Sequence, residues 1–445
     1  MIRERTYRTL GMVAKGLLFL GLSFVFVNVL MTSCQRLPGC PPDKECVRYM
    51  AWGNPEQLEV ERQMIADFNR KNPDLYVKLF TVPANSYHQK MVMMLASGTA
   101  PDVMRVDMYN FPKLAKRNYF YDLTDLAARD QDFKESDFFP AAISESKTTG
   151  RLLGLNVLGG GHVMYYNKTL MKAAGLEDPF VLSQRGEWTF EKFREYAKRI
   201  TTIEGEKPVR YGYVLPLWPG YVPFVWGFGG DYLSADKKTC LLDQPGAIQG
   251  YQFLADLIWK DRCSPTPAQG ANGAFTFESG KVGMICEFMG MTPRYRKVIK
   301  DFEWDVCPLP MGPKSGTTFV KGNQLVLSRN TQHPEAAWRF IRYLTSEPTE
   351  MMLYARIRRA FPSRKSVAYS DEFLHPKEAP YQIGVFTQAI AGARPLPIND
   401  RWMEWVNALN SEVDNLIAGR ERDAGVAMRE ATRKINKILA EDPDL

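Results

Sequence analysis

Between residues 47 and 107, short runs of strand formers alternate with amphipathic helices, and this alternation limits the fold more than any other feature of the chain. VRYMAW (47–52) leads through Gly53-Asn54-Pro55 into a helical pattern over 56–70, where Leu58, Met64, Ile65 and Phe68 share one face. LYVKLFTV (75–82) comes next, then a helix ending at Ser97-Gly98, then the strand-like PDVMRVD (101–107). Strands separated by helices of this length pair in parallel, so the pattern predicts an α/β fold with a doubly wound sheet.

A second series begins at Gly154. LGLNVLGGGHVMYYNK is a long extended segment interrupted by three glycines, followed by a helix that stops at Gly175. A helix over 188–200 has Thr189 placed to cap it. Further amphipathic helices are predicted over Pro245–Trp259, over Pro334–Leu344, and from Asp400 to Leu439 with a break near Gly419. There is no internal repeat and no low-complexity tract.

The N-terminus reads as an address rather than as part of the fold. Gly16–Met31 is almost wholly apolar, stands behind Arg3, Arg5, Arg8 and Lys15, and runs into Thr32-Ser33-Cys34. Basic, apolar and small residues in that order make a secretory signal, and the apolar run is short for a span of ~20 residues. A cysteine after Met-Thr-Ser resembles the lipobox of bacterial lipoproteins, which makes Cys34 the expected lipidated N-terminus and 1–33 the signal. Residues 34–46, rich in proline and polar side chains, read as a tether. The chain is therefore expected outside the cytoplasmic membrane, held to it by lipid.

The 412 residues after the signal exceed one ordinary core and suit two lobes. The formal charge of +7 includes the signal's own basic residues, and the remainder is too weak and dispersed to suit nucleic acid. Six cysteines besides Cys34 lie in an oxidising compartment: Cys40 with Cys46 in the tether, Cys286 with Cys307 in two strand-like runs, and Cys240 with Cys263 bracketing a helix. Three disulfides are compatible with this set, and the sequence does not choose among the pairings. With no Cys-x-x-Cys pair and four scattered histidines, neither metal nor cofactor is expected.

Several pieces in fixed order carry a family likeness: FNRKNPDLYVKLF, MLASGTAPDVM, MYYNKTLMKAAGL, EWTFEKFREYAKRI, GFGGDYL, ESGKVGMICE, PLPMGPKSG, HPEAAWRFIRYLTSEP and, near the end, LIAGRERD. In this order and spacing the chain resembles the extracellular solute-binding proteins of ABC importers, in the sugar-binding branch that includes maltose-binding protein. The resemblance implies a type II periplasmic-binding-protein fold of two discontinuous α/β lobes, 47–159 with 311–360 and 160–310 with 361–445. It also implies a ligand in the cleft between them, a membrane permease as partner, and a monomer. Crossings between lobes are expected near Leu158–Gly161, Val306–Pro310 and Arg359–Ser363, with Gly159-Gly160-Gly161 supplying hinge freedom.

A sugar site needs flat aromatic faces for ring C–H groups and polar side chains for the hydroxyls. Loops that the family aims at the cleft supply the candidates: Trp52 and Asn54; Asp107, Tyr109 and Asn110; His162; Trp218, Tyr221 and Trp226; Glu287 and Phe288; Asn323; Arg359; and Trp402 with Trp405 beside it. The aromatic cluster 218–226 reads as a Pro- and Gly-rich loop and as the expected stacking platform. This chain has Gly160-Gly161-His162 where the maltose-binding branch has a carboxylate, and Glu287-Phe288-Met289-Gly290 where that branch has a tryptophan. Maltose contacts therefore do not carry over.

Other functions fit less well. There is no Gly-x-Ser-x-Gly elbow and no Walker loop, so an enzyme would have to use Asp107 with His162, or Asp107 and Glu287 as a glycosidase pair. A binding protein for an anionic or phosphorylated solute is the alternative, with Arg356, Arg358 and Arg359 as its anion-binding group.

Overall fold

The computed structural model describes residues 39–441, except 54, 158, 217 and 359 and the side chain of Glu56. Cys34, Asn54 and Arg359 thus lie outside the described residues, as does the first part of the tether.

Two five-stranded sheets organise the chain. The first runs Leu75–Thr81, Glu45–Ala51, Val103–Asp107, Asn323–Leu327, Leu155–Val157 from edge to edge. Its first three strands are parallel, as the alternation predicts. Asn323–Leu327, arriving from far along the chain, runs antiparallel to both its neighbours. Both faces are covered: Val47, Tyr49 and Ala51 pack with Phe68 and Phe340 on one side, and Met50 packs with Tyr87, Met91 and Phe111 on the other. This two-sided burial explains why the strand reads as a nearly continuous apolar run.

The second sheet runs Trp304–Cys307, His162–Asn167, Val282–Phe288, Lys207–Val214, Thr202–Glu204. Only Val282–Phe288 and Lys207–Val214 are parallel. Helix Phe190–Ile200 lies against it, with Thr189 Oγ1 accepting from the Lys192 amide at 3.3 Å and Phe190, Phe193, Tyr196, Ala197 and Ile200 buried. Gly212 permits that contact, because a Cβ there would stand 1.9 Å from the Ala197 carbonyl oxygen. Helices Trp402–Ile417 and Ala424–Ala440 join helix Pro245–Trp259 in the same core. The turn between them passes through Gly419 at φ 74°, where the sequence places the break.

The chain crosses between the sheets along neighbouring segments. The Phe361 amide donates to the Gly159 carbonyl at 3.0 Å, and the Lys321 amide donates to that of Gly160 at 2.8 Å. The return crossing therefore falls near Thr318–Lys321 and not at Val306–Pro310. Val306 is still inside the second sheet, and Met311 and Lys314 remain hydrogen-bonded to Trp188 and Gly227. Gly161 is required by packing, since a Cβ there would meet Thr318 Cγ2 at 2.6 Å; none of the three glycines has a positive φ.

Among the described residues Cys40 and Cys46 form a disulfide, while Cys240, Cys263, Cys286 and Cys307 are buried thiols. Cys286 and Cys307 both lie opposite Met164, on either side of its strand. Two strand spacings, ~9.6 Å, separate them, beyond the reach of a disulfide. No described helix is long and apolar enough to cross a membrane.

Candidate functional site

The two sheets turn the ends of their strands toward a common seam. From the first come Asp107 and Asn323, which are register partners at the strand ends. From the second come His162 and Phe288, also register partners, with Glu287 next to them. Ligand sites form at such strand ends because the loops beyond them are free to carry side chains.

Asp107 organises its side of the seam. Its Oδ1 accepts from the amides of Tyr109 and Asn110 at 3.0 and 2.9 Å, and from Asn110 Nδ2 at 3.1 Å. Oδ2 lies 2.6 Å from His88 Nε2, a contact that sequence reasoning missed because His88 sits on helix Ala84–Ala96, outside the strand-end loops. Burial raises the Asp107 carboxyl, yet His88 and Asn110 hold it below its ordinary range, so it is an anion. The turn it builds presents Tyr109, whose ring stacks on Trp402 at 4.1 Å and 13°. Tyr109 follows a first-sheet strand and Trp402 begins a helix of the second core, so the stack spans the seam.

Trp218 extends this aromatic group, 6.5 Å from Trp402 and edge-on to Trp405 at 5.8 Å. The indole N–H groups of Trp218 and Trp402 have no hydrogen-bond partner among the described residues. Lys321, another residue that sequence reasoning missed, places its ammonium 5.7 Å from the Tyr109 ring centre and 5.3 Å from that of Phe288. Burial lowers its pKa against the opposing pull of Asp107 and Glu287. A cation beside two ring faces, with the carboxylate of Asp107 and the carboxyl of Glu287 on either side, suits a polyhydroxylated ligand.

Other candidates have different places. Tyr221 and Trp226 belong to the core: 222–227 is a buried helix, Tyr221 Oη donates to Asn410 Oδ1 at 2.8 Å, and Trp226 Nε1 donates to Asp231 Oδ1 at 3.2 Å. Their faces are packed, so the 218–226 platform reduces to Trp218. Trp405 is likewise buried, donating to Asn399 Oδ1 at 3.0 Å. Trp52 is half-buried, lying 4.5 Å from Tyr87 with the Arg105 guanidinium 4.4 Å over its ring.

His162 is 6% exposed and stacks at 6.0 Å on Phe288, its Nδ1 being 3.5 Å from Cys286 Sγ. Its ring is packed between those of Phe288 and Phe319, the latter at 4.8 Å. The Cys286–His162 pair is not a nucleophile and base. Burial pushes the thiol well up and the imidazole down to about 3, so both are neutral. Of the arginine group, Arg356 pairs with Glu372 at 2.7 Å, and Arg358 donates to the carbonyls of Phe373 and Glu372.

Burial raises three carboxyls far above their ordinary 4.5: Glu145 to about 8, and Glu287 and Glu350 each to about 7. In the unfolded chain all three are ionised by pH 6.5, whereas the folded protein still holds their protons. Stability is therefore expected to fall as pH rises from 6.5 to about 8. His162 works in the opposite sense, but only below pH 6.5. Melting midpoints that stay flat or rise across this window would contradict these assignments.

Residues 53–351 match the family of bacterial extracellular solute-binding proteins. An arabinooligosaccharide-binding protein of Bacillus subtilis is 24% identical over 344 residues, 72% of this chain and 76% of that one. An uncharacterised lipoprotein of Streptomyces antibioticus is 25% identical over 392 residues, 84% of this chain and 82% of that one. In solved structures, an ABC substrate-binding protein from Listeria monocytogenes in complex with cycloalternan superposes with a TM-score of 0.79 at 20% identity, covering 90% of this chain and all of that one. MalE3 of T. maritima, solved with maltose, gives 0.72 at 22% identity, covering 88% and 99%. The fold is thus the two-lobed type II periplasmic-binding-protein fold, and the match over more than half its length places this chain in the family of bacterial extracellular solute-binding proteins.

Proposed function

We propose that the protein captures a saccharide in the seam between its lobes and delivers it to the membrane permease of an ABC importer, doing no chemistry itself. The observation that carries this reading is the Tyr109–Trp402 stack across the seam, with Trp218 alongside and Asp107, Glu287 and Lys321 around it. Aromatic faces cover sugar C–H surfaces, while Asp107, Lys321 and the Glu287 carboxyl take up the hydroxyls that burial strips of water. The saccharides named for relatives, among them arabinooligosaccharide and cycloalternan, agree with that chemistry.

In this reading the lobes keep the expected division, with the return crossing moved to about 318–322, and they close as rigid bodies about the three crossings. The ion pairs Lys113–Glu404 at 3.5 Å and Lys116–Asp400 at 2.7 Å lie along the same seam and must part for a ligand to enter. A permease that prefers the closed form then reads occupancy as shape. Cys34 carries the lipid that keeps the monomer at the membrane, outside the cytoplasm.

A thermal-shift screen of neutral oligosaccharides against sugar phosphates tests the reading. A bound ligand at 100 times its Kd adds about 2.7 kcal/mol of apparent stability. Neutral oligosaccharides are expected to raise the midpoint with no cleavage products. A response confined to phosphates would install the anionic-solute reading, and cleaved sugar the enzyme reading.

A further inference from the structure

The two ring faces that bridge the seam cover each other. Tyr109 and Trp402 stack with centroids 4.1 Å apart and planes 13° from parallel, the spacing of a single van der Waals contact. A sugar ring lying between them needs two such layers, ~7–8 Å. The stack and a sugar between its rings are therefore mutually exclusive.

Two ion pairs clamp the same place. Lys113 and Lys116 stand on the short helix Phe111–Lys116, whose Phe111 and Leu114 pack with Met50 and Val106 of the first sheet. Asp400 and Glu404 flank Trp402 at the start of helix Trp402–Ile417, which packs with Met164 and Tyr166 of the second. Lys113–Glu404 closes at 3.5 Å and Lys116–Asp400 at 2.7 Å, so all three contacts join 109–116 of one lobe to 400–404 of the other. The closed contact is incomplete. Trp402 Nε1 and Glu404 Oε2 are buried without a partner among the described residues, which weakens it. Arg401 stands 3.8 Å from Glu404 within the same lobe and keeps that carboxylate from being stranded when the lobes part.

We propose that the unliganded protein latches shut on itself: the Tyr109–Trp402 stack and its two flanking ion pairs form an autoinhibitory contact that a ligand must displace, so that ionic strength sets the affinity even for an uncharged sugar. Covering Tyr109 with Trp402 keeps two apolar faces out of water while the site is empty. A ligand then binds only the molecules whose latch is open, and its apparent Kd is the intrinsic one divided by their fraction. Salt screens the two ion pairs far more than the contacts of an uncharged sugar, so it opens the latch and tightens binding. The self-closure stands on the geometry alone; its effect on sugar affinity rests on the saccharide reading above.

Small-angle scattering of the unliganded protein tests the latch without any sugar. The wild type is expected to be compact at about 0.01 M salt, where the Debye length is ~30 Å, and to expand at about 1 M, where it is ~3 Å. Lys113→Met/Lys116→Met and Asp400→Asn/Glu404→Gln are each expected to be expanded at both. The four changes together should expand the protein no further, because either side alone already empties both pairs. Wild-type dimensions that ignore salt, or double variants as compact as the wild type, overturn the proposal. Calorimetric titration with maltotriose and arabinotriose reads the effect on capture. At low salt each double variant should bind about 2- to 30-fold more tightly than the wild type, the range for freeing two exposed ion pairs, and should lose the salt dependence. Equal or weaker binding by the variants overturns the proposal and leaves saccharide capture standing. Absence of binding by both sugars in every form counts against the saccharide reading, and the scattering then decides the latch.

Discussion

Replacing Glu61 with alanine is expected to destabilise the protein by about 3–5 kcal/mol, the scale for breaking a buried ion pair by removing one partner. Glu61 Oε1 and Arg105 Nη1 are 2.5 Å apart, with 6% and 4% of their side chains exposed. Arg105 stays charged under all ordinary conditions, so its buried guanidinium would lose its carboxylate without being able to neutralise itself. The same guanidinium also donates to the Trp52 carbonyl and lies over the Trp52 ring. Losing its anchor therefore also loosens the first loop at the seam. The double variant Glu61→Leu/Arg105→Met is expected to recover much of the loss, because an apolar pair has no charge to strand. Urea unfolding of the two variants checks this; a loss below about 1 kcal/mol for Glu61→Ala would mean that Arg105 finds solvent or another partner.

Trp402→Ala is expected to weaken saccharide binding by about 1–3 kcal/mol, roughly 5- to 150-fold, from the burial of one large ring face. Trp402 is 6% exposed, and its removal also strips Tyr109 of the surface it stacks on. Trp226→Ala is expected to differ in kind. Its ring lies within the core under the Arg394 guanidinium, so that change should lower the melting midpoint first. Calorimetric titration beside thermal melts separates the two. Equal affinity losses from both variants at matched stability would mean that the stacking surface includes Trp226 after all.

This contrast shows what the sequence made legible. Alternation of strand and helix, the Thr189 cap and the break at Gly419 are local signals, and the corresponding elements fall where those signals put them. The antiparallel insertion of Asn323–Leu327 beside Val103–Asp107 is a long-range pairing that no local pattern encodes. The same limit applied to Cys286 and Cys307, whose runs looked like neighbours although the strand of Met164 lies between them. Of the residues proposed for the site, Asp107, Tyr109 and Trp402 could be singled out because strand ends and family spacing point to them. Trp226 and Tyr221 were misplaced because Pro and Gly in 218–230 suggested a loop, whereas Pro223 opens a short buried helix and Gly227 closes it. His88 and Lys321 carried no motif; only the packing of distant segments brings them to the seam.

The central claim is that a saccharide lies between the lobes against Tyr109 and Trp402. The most direct measurement is a crystal structure of the protein grown with the oligosaccharide that gives the largest thermal shift. Sugar density is expected in the seam, against the Tyr109, Trp402 and Trp218 rings and within hydrogen-bond distance of Asp107, Glu287 or Lys321. Sugar bound only on an outer face of either lobe, with the seam filled by water, would contradict it.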